Sequence, residues 1–257
     1  MHTNSLQKAI LRVPEVTIVF WIIKTLSTTV GETGADFLAS NLGFGMPMVA
    51  IIASGLMAAL LVIQFTKLKR YVPFNYWSIV LLMSIVGTLI TDILVDTAGV
   101  SLVTLSIVFS IAMIFGFSIW YKQEGTLSIH SVDTTKRESY YWLIILIAFA
   151  LGTGAGDLIS ERLAQGYGVA VLAFGGLIAL VAIAYYAFKI SSVLAFWLVF
   201  ILTRPLGASL GDFLTKPATE GGLDVSMVVV NGLFISIILG LVIHLTLKQE
   251  KAKETTI

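Results

Sequence analysis

The sequence predicts an all-α polytopic membrane protein, with eight transmembrane helices arranged as four parallel two-helix repeats. Composition points there first: the chain is 57% hydrophobic and 12% charged, with a mean hydropathy of +0.95, too apolar for a water-soluble domain. Apolar runs of about 20 residues, the length that crosses a hydrocarbon core, follow one another along the whole chain. The third observation is an internal repeat. Phe20-Trp21, Tyr76-Trp77, Tyr141-Trp142 and Phe196-Trp197 are each followed ten residues after Trp by glycine (Gly31, Gly87, Gly152, Gly207) and fifteen after it by Asp36, Asp92, Asp157 or Asp212. The chain has only five Trp and seven Asp, so four coincidences in register are not accidental.

In chain order, residues 1–13 form a polar cytoplasmic lead, 14–247 a membrane domain and 248–257 a cytoplasmic tail. The repeats cover approximately 14–66, 74–121, 139–188 and 192–247, and each reads as a helical hairpin. The spans lie near 15–38, 46–66, 75–95, 99–121, 139–160, 168–188, 192–213 and 225–247. Glycine-containing links (Gly43 to Gly45, Gly99, Gly166 to Gly168, Gly221-Gly222) connect the two spans of each repeat. Lys8 and Arg12 precede an apolar run that Glu32 and Asp36 interrupt before a cleavage site forms, so the first span is expected to remain as an anchor. Twelve of the Lys and Arg residues fall in the lead, the links between repeats and the tail, whereas the links inside repeats hold only Arg162 and Lys216. The positive-inside rule then puts both termini in the cytoplasm and gives all four repeats one orientation.

The odd-numbered spans carry the chemistry. Positions seven, eleven, fifteen and nineteen after Trp climb one slowly drifting helix face. They read Thr28, Glu32, Asp36, Ser40 in the first repeat and Ser84, Thr88, Asp92, Asp96 in the second. The third has Phe149, Thr153, Asp157, Glu161, and the fourth Arg204, Ala208, Asp212, Lys216. At about 1.5 Å per residue, the glycines lie ~15 Å and the Asp residues ~22 Å from Trp. If Trp marks the cytoplasmic interface, Glu32 is near mid-membrane and the Asp layer is in the outer half. Ionisable groups at such depth face a protein interior or water.

Glu32, Asp36, Asp92, Asp157 and Asp212 are therefore candidates for a cation path and for holding a metal ion, with Thr28, Thr29, Thr33, Thr88, Thr153 and Ser209 as neutral oxygen ligands. Such a donor set suits protons or hard cations. The absence of Cys excludes disulfides and thiolate sites. Lys24 is close enough to the Trp end to snorkel. Arg204 is deeper and needs a carboxylate, with Glu32 the partner on the equivalent face of the first repeat. The repeated glycines read either as packing positions or, with Gly34, Gly154, Gly156, Pro205 and Gly211 nearby, as points where a helix breaks.

The Trp-bearing two-helix repeat present four times, with Lys24, Thr28-Thr29, Gly31-Glu32-Thr33 and Asp36 in the first copy, resembles a family of bacterial integral membrane proteins of unknown function. That family is built from four tandem repeats of two membrane segments, each with a tryptophan. The resemblance covers Val13 to Leu247 and implies eight spans and a bacterial membrane; it supplies no substrate.

The resulting expectation is a transporter of a small cation, with a divalent metal ion and proton coupling as the specific candidates, in the bacterial cytoplasmic membrane. The alternatives are a membrane scaffold or regulator, or a transporter of a small anion using Arg204 and Lys24. No enzyme activity and no cofactor are expected. Gly154-Ala155-Gly156-Asp157 fits one half of an intramembrane aspartyl protease site, but the chain has no Tyr-Asp pair for the other half. Lipid and a small cation are the expected partners. The net charge of +1 points to no nucleic acid, and nothing in the sequence sets an oligomeric state.

Overall fold

A computed structural model describes residues 11–162 and 166–254. The lead as far as residue 10, with Lys8, lies outside them, as do residues 163–165, the last three residues and the side chains of Glu161, Arg162, Lys253 and Glu254. The described chain is helical and contains no strand. Its long helices are α1 (Ile18–Asp36), α2 (Met46–Ile63), α3 (Pro73–Asp92), α4 (Leu102–Glu124), α5 (Thr135–Asp157), α6 (Tyr167–Phe188), α7 (Ser192–Thr215) and α8 (Met227–Glu254). Local chemistry sets several of their starts. Thr17, Ser101 and Thr134 accept backbone hydrogen bonds at the N-termini of α1, α4 and α5, and Pro73 opens α3.

Among the described residues seven helices, α2 to α8, are long and apolar enough to cross a membrane. Helix α1 is of similar length but carries Lys24, Glu32 and Asp36 within its 19 residues. The chain is thus a helical membrane protein with an internal repeat.

The odd helices form the inside. Helix α1 packs on α3, α3 on α5, α5 on α7, and α7 returns to α1, which closes a four-helix ring. The even helices form an outer layer, with apolar side chains such as Ile51, Phe115 and Leu172 on the surface. The hairpin expectation needs correction here. Helix α2 lies along α3, α4 along α5, α6 along α7 and α8 along α1, so each even helix packs against the odd helix of the next repeat. The short links let the even helix lean outward and across, and the interlocking makes the four repeats one body.

The repeated glycines close the ring. A Cβ on Gly31 would overlap Ser84, one on Gly87 would press on Phe149, one on Gly152 on Arg204 and Pro205, and one on Gly207 on Thr28. Each glycine thus meets the residue seven places after the next Trp, and the fourth repeat closes onto the first. Small residues at these crossings let the backbones approach. The helix-break reading is accordingly not realised: α1, α5 and α7 run unbroken through their glycines and through Pro205. Irregularity comes later, as one turn of π-helix directly after the Asp residues of the first three repeats (Phe37–Asn41, Ile93–Thr97, Leu158–Arg162).

The tryptophans also differ from expectation. Trp77, Trp142 and Trp197 are buried and pack inward with Phe20, Tyr76, Tyr141 and Phe196. Phe20 and Phe196 lie 6.1 Å apart, and the Tyr76 and Tyr141 hydroxyls share a hydrogen bond. Their apolar area is spent on sealing one end of the ring instead of marking a lipid interface.

Candidate functional site

The glycine contacts fix how the polar stripes of α1, α3, α5 and α7 meet, and they meet in layers along the ring axis. Three residues past Trp, Lys24 is fully buried, and its Nζ donates to Thr203 Oγ1 at 2.7 Å. The same nitrogen lies 4.4 Å from the Phe200 ring centre and 4.9 Å from that of Phe149. The ammonium is held between aromatic faces by cation–π attraction and does not snorkel. Thr28 is on the same floor, donating to the carbonyl oxygens of Thr25 and Thr203.

The next layer holds a buried ion pair between the first and fourth repeats. Arg204, fully buried, extends from position seven of its repeat to position eleven of the others. Its Nη2 lies within hydrogen-bond distance of three acceptors, Glu32 Oε2 at 3.0 Å, Thr153 Oγ1 at 2.7 Å and Thr88 Oγ1, which share its two N–H groups. Thr88 in turn donates to Glu32 Oε2 at 3.1 Å. One guanidinium nitrogen therefore joins all four repeats, and Glu32 is the carboxylate partner that the repeat register indicated. Arg204 Nε and Nη1, both buried, have no partner among the described residues.

The Asp layer lies one turn further on. Asp212 is buried, and Asp36, Asp92 and Asp157 are half-buried. Lys216 Nζ is 3.1 Å from Asp36 Oδ2 and 3.9 Å from Asp212 Oδ1, bridging the first and fourth repeats. Partial burial works against the Lys216 charge, but Asp36 and Asp212 outweigh it and hold the ammonium above the ordinary lysine range. A raised lysine value stabilises the fold below that range, so the ammonium side of this bridge persists at neutral pH and is lost as pH rises past it. Asp92 lies within electrostatic reach of Glu32, Asp36, Asp96 and Arg204.

The register thus brings together Glu32, Thr88, Thr153 and Arg204 as one cluster, Lys24 with Thr28 as a second, and Asp36, Asp92 and Asp212 above them. Thr29 instead bonds back to the carbonyl of Thr25. Thr33 turns toward α8, donating to Asn231 Oδ1 at 2.8 Å. Ser209 is buried beside α5 without a hydrogen-bond partner among the described residues. The expectation of a metal held by the five carboxylates meets a geometric obstacle. Among the described residues no three His, Cys, Asp or Glu side chains gather closely enough to hold an ion, and Glu32 is occupied by Arg204.

Sequence reasoning missed a second buried network, at the Trp end. Glu138 is fully buried; it accepts from Arg12 Nη1 at 2.8 Å, from Gln64 Nε2 at 2.8 Å and from Trp142 Nε1 at 3.4 Å. Asn75 extends it to Gln64 Oε1 at 2.9 Å. Arg12 also donates its backbone N–H to the Val132 carbonyl, drawing the lead across this end. The available signal was Glu138 itself, four residues before Trp142, where the other repeats have Thr17, Pro73 and Val193. Glu138→Gln should cost about 2 kcal/mol, the scale of hydrogen bonds to a charged group. It should lower the thermal unfolding midpoint in detergent, whereas Asp133→Asn at the surface should leave the midpoint unchanged.

The family model described as Repeat of Unknown Function (DUF347) matches residues 19–69, 75–126, 140–191 and 195–250. Each match begins within the first turns of an odd helix and takes in the rest of it and most or all of the even helix that follows. No curated protein and no solved structure matches the chain.

Proposed function

This chain belongs to the DUF347 repeat family, and from that premise we propose that it moves a small cation across a bacterial cytoplasmic membrane along the axis of its odd helices. One observation carries the reading: past the Glu32–Arg204 pair, Asp36 and Asp212 share Lys216 at one end of a closed ring, Asp92 lies within electrostatic reach of Asp36 and Glu32, and Asp157 holds the matching position of the third repeat. All eight long helices span the membrane in this reading, α1 included, because its three charged side chains are turned into the ring. The distribution of Lys and Arg puts the Trp end in the cytoplasm. Reporter fusions after residues 70, 130 and 190 should accordingly read cytoplasm, and fusions near 43, 98 and 220 the far side.

In this arrangement the Asp layer is a vestibule open to the far side, which concentrates cations before any contact is made. Arg204 is a tethered cation already seated on Glu32. A cargo ion, or a proton delivered to Glu32, weakens that pair and lets the guanidinium withdraw. The aromatic seal of Phe20, Tyr76, Tyr141 and Phe196 closes the cytoplasmic end in the same state. Transport then requires the seal to open while the vestibule closes, as in alternating access.

The test is flux into liposomes containing the purified chain, scanned over protons, monovalent cations, Mg²⁺, Mn²⁺ and Ca²⁺. At least one should move faster than into empty liposomes, and Asp92→Asn should cut that flux at least tenfold. Flux of no cation above the empty-liposome rate would leave the polar core as a device for pairing helices, the scaffold reading.

A further inference from the structure

Below the cation vestibule, the charge balance reverses. The inner two layers contain Lys24 and Arg204, both fully buried, against the single carboxylate of Glu32. Lys24 has no ion pair among the described residues; its one polar partner is the neutral Thr203 hydroxyl. Arg204 satisfies the layer around it through Nη2 alone, so that Nε and Nη1 are buried N–H donors without acceptors. Both cations converge on one ring: Lys24 Nζ is 4.9 Å, and Arg204 Cζ 6.0 Å, from the centre of Phe149.

Buried donors of a charged group are rarely left unmatched, and an uncompensated buried charge is more costly than a paired one. Water would satisfy the donors and loss of the Lys24 proton would remove the surplus charge, but neither does both. A carboxylate from the Asp layer is a poor source, because Asp36 and Asp212 already engage Lys216 and the layer lies further along the axis, past Glu32. What remains is an acceptor that is itself negative and small enough for a core this closely packed.

We propose that the sealed inner half of the ring binds one small monovalent anion, of the size of chloride, nitrate or formate, between Lys24 and the free Nε–Nη1 side of Arg204. The occupant completes the guanidinium's hydrogen bonds and neutralises the surplus charge. The site is separate from the carboxylate vestibule and does not require that the chain transport cations.

Purified protein in detergent tests this without any flux assay. Unfolding is followed by Trp fluorescence at constant ionic strength while gluconate, too large for the core, is replaced by chloride, nitrate or formate. A ligand that binds only the folded state raises the midpoint continuously with its concentration, and that rise is the expected result for at least one of the three. Lys24→Met keeps the apolar stem and removes the charge. It should abolish the anion-dependent rise and raise the midpoint measured in gluconate alone. Identical midpoints in all four anions for the wild-type chain would overturn the proposal, and would mean that the aromatic faces and Thr203 suffice for Lys24. An anion response unchanged in Lys24→Met would overturn it too, because the anion would then sit elsewhere. If Lys24→Met yields no folded protein, Lys24→Gln takes its place, and the wild-type comparison decides by itself whether an anion binds.

Discussion

Arg204→Ala should destabilise the fold by about 3–5 kcal/mol, the cost of removing one partner from a buried ion pair. Among the described residues the guanidinium alone touches Glu32, Thr88 and Thr153 together, so its removal leaves the Glu32 carboxylate between four helices without its counter-charge, while Thr88 and Thr153 keep their own backbone acceptors. Most of the penalty comes from the orphaned Glu32 charge and not from lost attraction. Arg204→Ala with Glu32→Gln should therefore recover a substantial part of the stability without recovering transport. Midpoints of thermal or detergent-induced unfolding measure both variants. A double variant no more stable than Arg204→Ala would show that Arg204 supports the fold by its bulk against Gly152, not by its charge.

Gly207→Val should prevent the ring from closing. Any Cβ there overlaps the Thr28 side chain and crowds the Thr29 backbone, and neither can retreat, because Thr28 is itself bonded to the carbonyls of Thr25 and Thr203. Overpacking usually costs 1–3 kcal/mol. Here the obstruction is partly backbone and lies at the joint between the last repeat and the first, so the expected outcome is little or no folded protein. Gly175→Ala is the matched control. Nothing lies within 4 Å of a Cβ built at Gly175, and the gain in helix propensity is up to about 1 kcal/mol. That variant should express and melt like the wild type or slightly higher. The comparison separates glycine used for contact from glycine that is merely present in a helix.

The repeat was legible because its signals are local in sequence. The Trp-to-Gly and Trp-to-Asp spacings identify the odd helices, and the four-residue stripe identifies the face that turns inward. The pairing of Glu32 with Arg204 could be read because both lie on that stripe, within about one turn of each other in register. What could not be read depends on packing between elements distant in sequence. Nothing in residues 46–63 says that α2 leans on α3 rather than on α1. The inward turn of Trp77, Trp142 and Trp197 follows from the closeness that Gly31 and its counterparts allow, not from any property of tryptophan. Lys24 was misread for a similar reason: its depth is ambiguous from sequence, and the Phe149 and Phe200 rings that hold it come from two other repeats. Arg12 was legible only as a charge of the lead and Glu138 was passed over, because a separation of 126 positions hides that they meet.

The central claim is that one carboxylate from each repeat opens onto a single compartment at one end of a ring whose other end is closed. Since the chain has no cysteine, single cysteines can be placed at positions 92, 157 and 212 without background and probed with a membrane-impermeant thiol reagent from either side. The account predicts that all three react from the far side only, and that a cysteine replacing Phe200 reacts from neither. Reaction of the three from opposite sides, or protection of all three alongside ready labelling at position 200 from the cytoplasm, would contradict it.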